Sequence, residues 1–272
     1  MTLHRRAALA ALALAAALTA PLTLAQGKKD SVTLAMVLEP PGLDPTIAPA
    51  AAIGEIVHYN VLEGLTKVNV DGSVTPLLAE SWTMDPDGRS YTFKLKKGIK
   101  YHDGEAFDSS AVKFSFERAK DEKSTNKAKG AVFNNISSIS APDPHTVILT
   151  LNNADGNFLF RMGENTAVIL HPKTAATAAT KPIGTGPFQF EDWKKGNSVT
   201  LTRWDGFRDA KSIKLKRVTF RFINDPAARV AGLLAGDIDG VPRLDAPQAL
   251  KQLQADKRLV VEIGATPGKG IM

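Results

Sequence analysis

The stretch PIGTGPF, residues 182–188, places two glycines, two prolines and a threonine within seven residues. Glycine lets the backbone approach a neighbour closely and proline fixes φ, so the stretch is a phosphate-binding loop, a wall of a cleft or hinge, or a tight turn. A dinucleotide fingerprint would need a third glycine where Gln189 stands, and Pro187 removes a donor that a phosphate nest would use. We therefore predict a tight turn that leads into a strand at Phe188.

The sequence after this turn alternates between strand and helix patterns. Apolar residues recur at every second position in three runs, which predict strands: Phe188 and Phe190, Val199 and Leu201, and Val218, Phe220 and Phe222. Asp225 followed by Pro226 predicts the start of a helix, and Gly236 predicts its left-handed end. A strand at DIDGV (237–241), a helix over 247–255 and a strand over 259–263 are predicted to follow.

The sequence before the turn has the same mixture. A strand is predicted over 31–38, and two further alternating runs predict strands: Tyr91, Phe93 and Leu95, and Val147, Leu149 and Leu151. Apolar residues at i, i+3, i+4 spacing predict a helix over 51–65, and Asp108 is predicted to cap a helix that runs to about Ala119. HPKTAATAA (171–179) predicts a short helix. The mixture predicts an α/β fold, and 272 residues are enough for more than one lobe.

The first 25 residues have the features of a secretory signal peptide. Arg5 and Arg6 form a basic start, residues 7–20 are an alanine- and leucine-rich run, and Thr23-Leu24-Ala25 resembles a cleavage site. The apolar run is shorter than the roughly 20 residues that a bilayer span needs, and Pro21 interrupts it. We predict export, cleavage near Ala25 and a periplasmic location.

The sequence contains no recognisable catalytic set. It has no cysteine, so disulfides, thiolate metal sites and cysteine nucleophiles are excluded. It has no G-x-S-x-G elbow, and its histidines lack metal-ligand spacing; His102, in YHDGE, is predicted to be a hydrogen-bonding residue on the surface beside a turn. Asp237 and Asp239 share a strand face and could act as acid and base, although strand-end carboxylates more often bind nearby backbone. We expect no enzyme, no metal and no cofactor.

The charge of the chain gives little support for a nucleic-acid partner. The formal net charge is +6, of which Arg5 and Arg6 supply two, and aromatic residues make up only 7% of the sequence. A nucleic-acid surface is expected to have aromatic residues interleaved with a basic stripe, and this sequence does not have that pattern. We expect no nucleic-acid binding.

Four motifs in order carry a family resemblance. They are LEPPGLDP (38–45), NVLEGLTKVNVDGSVTPLLAESWTMDPDGRSYTFKLKKGIKYHDGEAFDSSAVKFSFERAKD (60–121), PIGTGPFQFEDWKKGNSVTLTRWDGF (182–207) and KLKRVTFRFINDPAARVAGLLAGDID (214–239). In this order they resemble the extracytoplasmic solute-binding proteins of the dipeptide, oligopeptide and nickel class, family 5, which serve ABC importers. The resemblance runs from about Ser31 to the last residue.

The resemblance implies a periplasmic-binding-protein type II lobe. Residues 26–65 and 181–272 would form the α/β core of the first lobe, and residues 66–180 an inserted β-rich α+β subdomain. The second lobe would follow Met272, and the abrupt ending PGKGIM (267–272) leads us to expect that the sequence is truncated.

The resemblance also implies a function. The chain would be the substrate-binding component of an ABC importer, a monomer that captures a peptide or related small solute and delivers it to a permease in the inner membrane. It places six residues near the ligand: Glu39, Pro41, Leu43, Tyr59, Thr185 and Gly186. Each of them has a purely local structural role as its alternative, and for Tyr59 packing at a helix interface is favoured.

Two alternatives belong to other classes of protein. An exported hydrolase would need a nucleophile, a base and an orienting group, and no motif supplies them. A periplasmic peptide chaperone or receptor would use the same scaffold and differ in its genetic neighbours. The sequence leaves open whether the solute is a dipeptide, a longer peptide, glutathione or a metal chelate.

Overall fold

The computed structural model describes residues 29–48 and 50–263. The predicted signal peptide and the PGKGIM ending lie outside these residues. The strands are β1 (Ser31–Met36), β2 (Thr66–Val68), β3 (Val74–Pro76), β4 (Ala79–Met84), β5 (Ser90–Leu95), β6 (Ile136–Asp143), β7 (Thr146–Leu151), β8 (Phe188–Lys194), β9 (Ser198–Arg203) and β10 (Arg217–Phe222). The α-helices are α1 (Ala51–Val57), α2 (Ser109–Lys120), α3 (Phe158–Arg161), α4 (Pro226–Ala235) and α5 (Leu250–Ala255).

The first sheet combines β1 with the three strands that follow the PIGTGPF turn. Its order is β1-β10-β9-β8, with β1 parallel to β10 and the other pairs antiparallel. The apolar residues that alternate along these strands pack against α1, and Val199 and Leu201 are fully enclosed. Val168 and Leu170, which lie before the PIGTGPF turn, join the same core. The alternation predicted these strands correctly because one face of each strand is buried.

The second sheet is a four-stranded antiparallel unit. Its order is β4-β5-β7-β6, and β2 and β3 form a separate hairpin. Tyr91, Phe93 and Leu95 of β5 are buried, and helix α2 packs against β6 and β7. Asp108 caps α2 by accepting a hydrogen bond from the Ser110 amide at 2.8 Å, as predicted. The mixed α/β class predicted from the sequence is confirmed.

The helix predicted over 51–65 is wrong in its second half. Helix α1 ends at Val57, and Tyr59 has a φ of 60°, which no helix accommodates. The Tyr59 hydroxyl donates to the Gly163 carbonyl at 2.6 Å and accepts from the Val68 amide at 3.0 Å. These tertiary bonds hold the tyrosine outside the helical path, while Val61 and Leu65 remain buried in irregular backbone.

Two predicted strands near the end of the chain do not form. DIDGV (237–241) makes one bridge, between Gly240 and Leu34, beside the free edge of β1. Asp239 explains why: its amide donates to the Thr33 carbonyl, and its carboxylate accepts from the Thr33 amide at 2.8 Å, in place of a strand carbonyl. Residues 259–263 have no partner strand among the residues that the structure describes.

The helical predictions of the last part are confirmed. Asp225 caps α4 by accepting from the Ala228 amide at 2.6 Å, Pro226 occupies its first turn and Gly236 ends it with a φ of 81°. A 3-10 turn at Pro247–Ala249 leads into α5. The short helix expected at 171–179 is a 3-10 turn, Ala175–Thr177. Within the described ranges, none of the helices has the length and apolar character of a membrane span.

Candidate solute-binding cleft

An open cleft of about 770 Å³ runs along β1. Its floor is the apolar face of β1 and β10, and its walls are the start of α1 and the loop at residues 242–243. The lining residues are Val32, Leu34, Ala35, Met36, Val37, Leu38, Glu39, Pro41, Ala50, Ala51, Ala52, Glu55, Asn60, Phe188, Leu215, Val218, Phe220, Pro242 and Arg243. A mostly apolar concavity of this size is typical of a small-molecule site.

The strand register shows which residues lie beyond the carboxyl ends of the parallel strands. In open α/β sheets, ligands bind beyond the carboxyl ends of the parallel strands, which here are β1 and β10. Leu38 follows β1 at this end, and its side chain is 60% exposed. Ser198, where β9 begins, pairs with Arg221 near the end of β10, so the β8–β9 hairpin lies at the same end.

Glu39 and Pro41 both line the cleft. The Glu39 carboxylate is already engaged, because it accepts hydrogen bonds from Trp193 Nε1 at 2.8 Å and from the Gly196 amide at 3.0 Å. These bonds attach the loop after β1 to the β8–β9 hairpin. Glu39 therefore shapes the rim of the cleft through its carboxylate, while Pro41 presents apolar surface.

Leu43 and Tyr59 do not line the cleft. The Leu43 side chain is fully buried, and its amide donates to the Ala179 carbonyl at 2.8 Å. Both functions of the Tyr59 hydroxyl are used in the bonds to Gly163 and Val68. Both residues thus have structural contacts that account for them without a ligand.

Thr185 and Gly186 lie at the opposite end of β1 from Glu39. Phe188 pairs with Arg203, and the neighbouring Thr202 pairs through Arg217 with Ser31, the first residue of β1. The Thr185 side chain is only 2% exposed. Its hydroxyl donates to Glu63 Oε2 at 2.8 Å. The structure therefore does not bring the six predicted residues together in one place.

The PIGTGPF turn packs directly on the backbone that follows α1. The Gly186 amide donates to the Val61 carbonyl at 3.1 Å, and the Phe188 amide donates to the Asn60 carbonyl at 2.9 Å. A Cβ atom at Gly184 would lie 1.9 Å from the Val61 oxygen, and one at Gly186 would lie 2.4 Å from the Asn60 oxygen. The glycines are needed for this close approach and not for a left-handed φ.

Replacing Gly184 by alanine is expected to lower the free energy of unfolding by about 3 kcal/mol or more, because two backbone segments must separate to admit the methyl group. Urea unfolding followed by tryptophan fluorescence measures this loss. Gly130→Ala is the matched control, since no atom lies within 4 Å of a Cβ there, and it should change stability by less than about 1 kcal/mol. Equal stability of the two variants would contradict the packing role of the turn.

His102 holds the other side of the turn. Its Nδ1 accepts from the Gly184 amide at 3.3 Å, which leaves Nε2 to donate to the Gly186 carbonyl at 3.0 Å. Burial lowers the pKa of His102 to about 4, against the smaller opposing effects of the Gly186 carbonyl and of Asp103. His102 is thus a neutral hydrogen-bonding residue, as predicted, but it is partly buried against the PIGTGPF turn and not at the surface.

Glu55, Asn60 and Arg243 line the cleft and were not predicted from the sequence. Glu55 stands on the exposed side of an amphipathic helix, where a charge is the ordinary choice. Arg243 follows Pro242 in an irregular loop that has no periodic pattern. At Glu55 and at Arg243, the sequence has no signal that distinguishes a ligand contact from solvated surface. Among the residues described, no group of histidines and carboxylates is arranged to hold a metal ion.

Small-solute sites are commonly found where an α/β sheet has an open apolar cleft along its parallel strands, as it has here. The comparison with known families agrees: the family model for bacterial extracellular solute-binding proteins, family 5 Middle, matches residues 73–271. The chain belongs to this family of bacterial extracellular solute-binding proteins.

The most similar relatives include proteins named for glutathione binding. The glutathione-binding protein GsiB of Pectobacterium atrosepticum is 31% identical over 241 residues, which cover 87% of this chain and 46% of the relative. The GsiB of Escherichia coli O157:H7 is 31% identical over 236 residues, covering 85% of this chain and 45% of the relative. The chain therefore spans about half the length of the curated relatives that it matches.

Solved structures show the same fold. AgaA of A. tumefaciens R10, in complex with agropinic acid, aligns with a TM-score of 0.78 and 29% identity, covering 84% of this chain and 46% of that one. DppA of Helicobacter pylori, in complex with the peptide STSA, aligns with a TM-score of 0.77 and 27% identity, covering 85% of this chain and 50% of that one. The type II binding-protein class predicted from the sequence is confirmed by these alignments.

Proposed function

We propose that this chain is the solute-binding component of an ABC importer, and that it captures a peptide or related small solute outside the cytoplasmic membrane for delivery to a permease. The observation that carries this proposal is the open apolar cleft along β1, in a chain that belongs to the solute-binding family. A relative named for glutathione binding, and similar structures solved in complex with agropinic acid and with a peptide, support a small organic solute.

The proposed mechanism is closure of a clamp. Residues 26–65 and 181–272 form the first lobe, and residues 66–180 form the inserted subdomain. The solute binds the first lobe, a second lobe closes over it, and the permease recognises the closed form. Pro41 and the rim held by Glu39 contact the solute directly. Leu43, Tyr59, Thr185 and Gly186 support the cleft from behind. The protein acts as a monomer in the periplasm after removal of its first 25 residues.

The proposed function is tested by titrating solutes into the natural chain and into a variant whose cleft is obstructed. We expect peptides or glutathione to perturb the NMR signals of cleft methyl groups such as those of Leu34 and Val218. The affinity of these 272 residues should be well below that of a complete relative, because they span about half the length of the relatives. Ala51→Trp, in the lining of the cleft, should abolish the perturbation. Ala231→Trp, on the exposed face of α4, should not. If no member of a broad solute panel shifts these signals, the proposal fails.

The proposed location is tested by the mass of the exported protein. Expression of the whole sequence in a Gram-negative host should yield a periplasmic protein whose first residue is Gln26. A cytoplasmic protein that retains residues 1–25 would contradict export.

A further inference from the structure

The charges that line the cleft are concentrated at one point of its wall. Among the described lining residues, three are charged: Glu39, Glu55 and Arg243. The carboxylate of Glu39 is held by Trp193 and Gly196, so it is not available to a solute. Glu55 on α1 and Arg243 in the loop at residues 242–243 remain, and their charged groups lie beside each other in the wall of the cleft.

These two side chains form a loose pair. The distance from the Arg243 guanidinium nitrogen to Glu55 Oε1 is 3.9 Å, which is too long for a hydrogen bond. Their side chains are 70% and 42% exposed, respectively. An exposed pair of this kind contributes little to stability, so a solute can separate the two groups at small cost. Neither group has another hydrogen-bond partner among the bonds of the described chain that would hold it in place.

A carboxylate beside a guanidinium is complementary to an ammonium beside a carboxylate. A guanidinium binds a carboxylate through two parallel hydrogen bonds, and a carboxylate binds an ammonium with a charge-assisted bond. The two charges of a free α-amino-acid group are attached to one carbon atom, so both reach partners that lie side by side. The two termini of an ordinary peptide are separated by its backbone, and only one of them reaches this point of the wall.

The rest of the cleft accepts the remainder of such a solute. Leu34, Met36 and Val218 belong to the apolar floor of the same cleft, and Leu34 forms a bridge with Gly240, three residues before Arg243. A solute whose charged group is bound by Glu55 and Arg243 therefore directs its body along β1, where apolar surface is removed from water. The volume of about 770 Å³ exceeds that of a single amino acid, so an extended body fits as well.

We propose that Glu55 and Arg243 together recognise a free α-amino-acid group, and that the solute is an amino-acid conjugate or γ-linked peptide rather than an ordinary α-linked peptide. This inference rests on the proposed function, because it assigns a ligand class to the same cleft. It makes Glu55 and Arg243 the residues that determine specificity.

Two isomeric dipeptides test the inference. γ-L-Glutamyl-L-leucine keeps the ammonium and carboxylate on one carbon, whereas α-L-glutamyl-L-leucine has the same composition and net charge but uses that carboxylate in its peptide bond. NMR titration of the whole chain, observed at the Leu34 and Val218 methyl groups, gives both dissociation constants. We expect the dissociation constant of the γ isomer to be at least about tenfold lower than that of the α isomer, because one charge-assisted interaction distinguishes them.

Charge-neutral variants complete the test. Glu55→Gln and Arg243→Gln should each remove most of the preference for the γ isomer, while Glu80→Gln and Arg89→Gln, whose charges lie outside the cleft, should keep it. Equal binding of the two isomers at the cleft overturns the inference and leaves the proposed function intact. The inference is also overturned, with the proposed function intact, if neither isomer binds while other solutes do. If no solute reaches the cleft, both proposals fail.

Discussion

Replacing Arg208 by methionine is expected to lower the free energy of unfolding by about 3 kcal/mol. The guanidinium of Arg208 binds both carboxylate oxygens of Glu63, at 2.6 and 2.8 Å, and Glu63 also accepts the hydroxyl bond of Thr185. The Glu63 side chain is only 2% exposed, so removal of Arg208 leaves a buried carboxylate with the Thr185 hydroxyl as its one hydrogen-bond donor in the described structure and with Lys96 as a nearby cation that does not bond to it. Arg208 is itself partly exposed, which allows some water to reach the site and keeps the loss near the lower end for a buried pair.

Urea unfolding of two further variants separates this effect from simple loss of packing. Glu63→Gln combined with Arg208→Met should recover more than half of the lost stability, because the amide still accepts from Thr185 and no buried charge remains. Arg89→Met breaks an exposed pair with Asp87, which water and salt screen, and should therefore change stability far less than Arg208→Met does. A double variant as unstable as Arg208→Met alone would show that the charge of Glu63 is not the cause.

Acidification from pH 7 towards pH 4 is expected to destabilise the protein through two histidines. Burial lowers the pKa of His58 to about 4 and that of His102 to about 4, from 6.5 in an unfolded chain. Both groups are neutral in the folded protein, so their contribution to stability is complete above pH 6.5. Below this pH the unfolded chain binds protons first, and stability falls by up to about 1.4 kcal/mol per pH unit for each histidine until the folded pKa is reached.

The free energy of unfolding, measured between pH 7 and pH 4.5, tests the assignment. Most carboxylates titrate below this window, so its slope reports chiefly on the histidines. His58→Phe keeps a ring stacked on Tyr59, and His102→Asn keeps one acceptor and one donor for the PIGTGPF turn. Each variant should have about half the slope of the natural protein, and the double variant should have nearly none. An unchanged slope in the double variant would contradict the two pKa values.

The class of fold and most of its elements can be predicted from the order of the amino acids alone. Strands with one buried face show a period of two, and the cap at Asp108 and the proline and glycine around α4 act within a few residues of where they stand. Such local signals survive without knowledge of partners. The order of the four motifs indicated the family, and the match of the family model to residues 73–271 confirms it.

Three features depend on contacts between residues distant in sequence: the end of α1, the absence of the strands predicted at 237–241 and 259–263 from the described structure, and the set of residues that line the cleft. Tyr59 is bound by Gly163, Thr185 by Glu63 and Glu39 by Trp193, each of them more than 100 residues away in sequence. The register of β1, β10, β9 and β8 separates Glu39 from Thr185, although their motifs are equally prominent in the sequence. The sequence does not show whether a carboxylate or a hydroxyl is hydrogen-bonded to a distant residue or is available to a solute. Only the packing of the folded chain distinguishes these two cases.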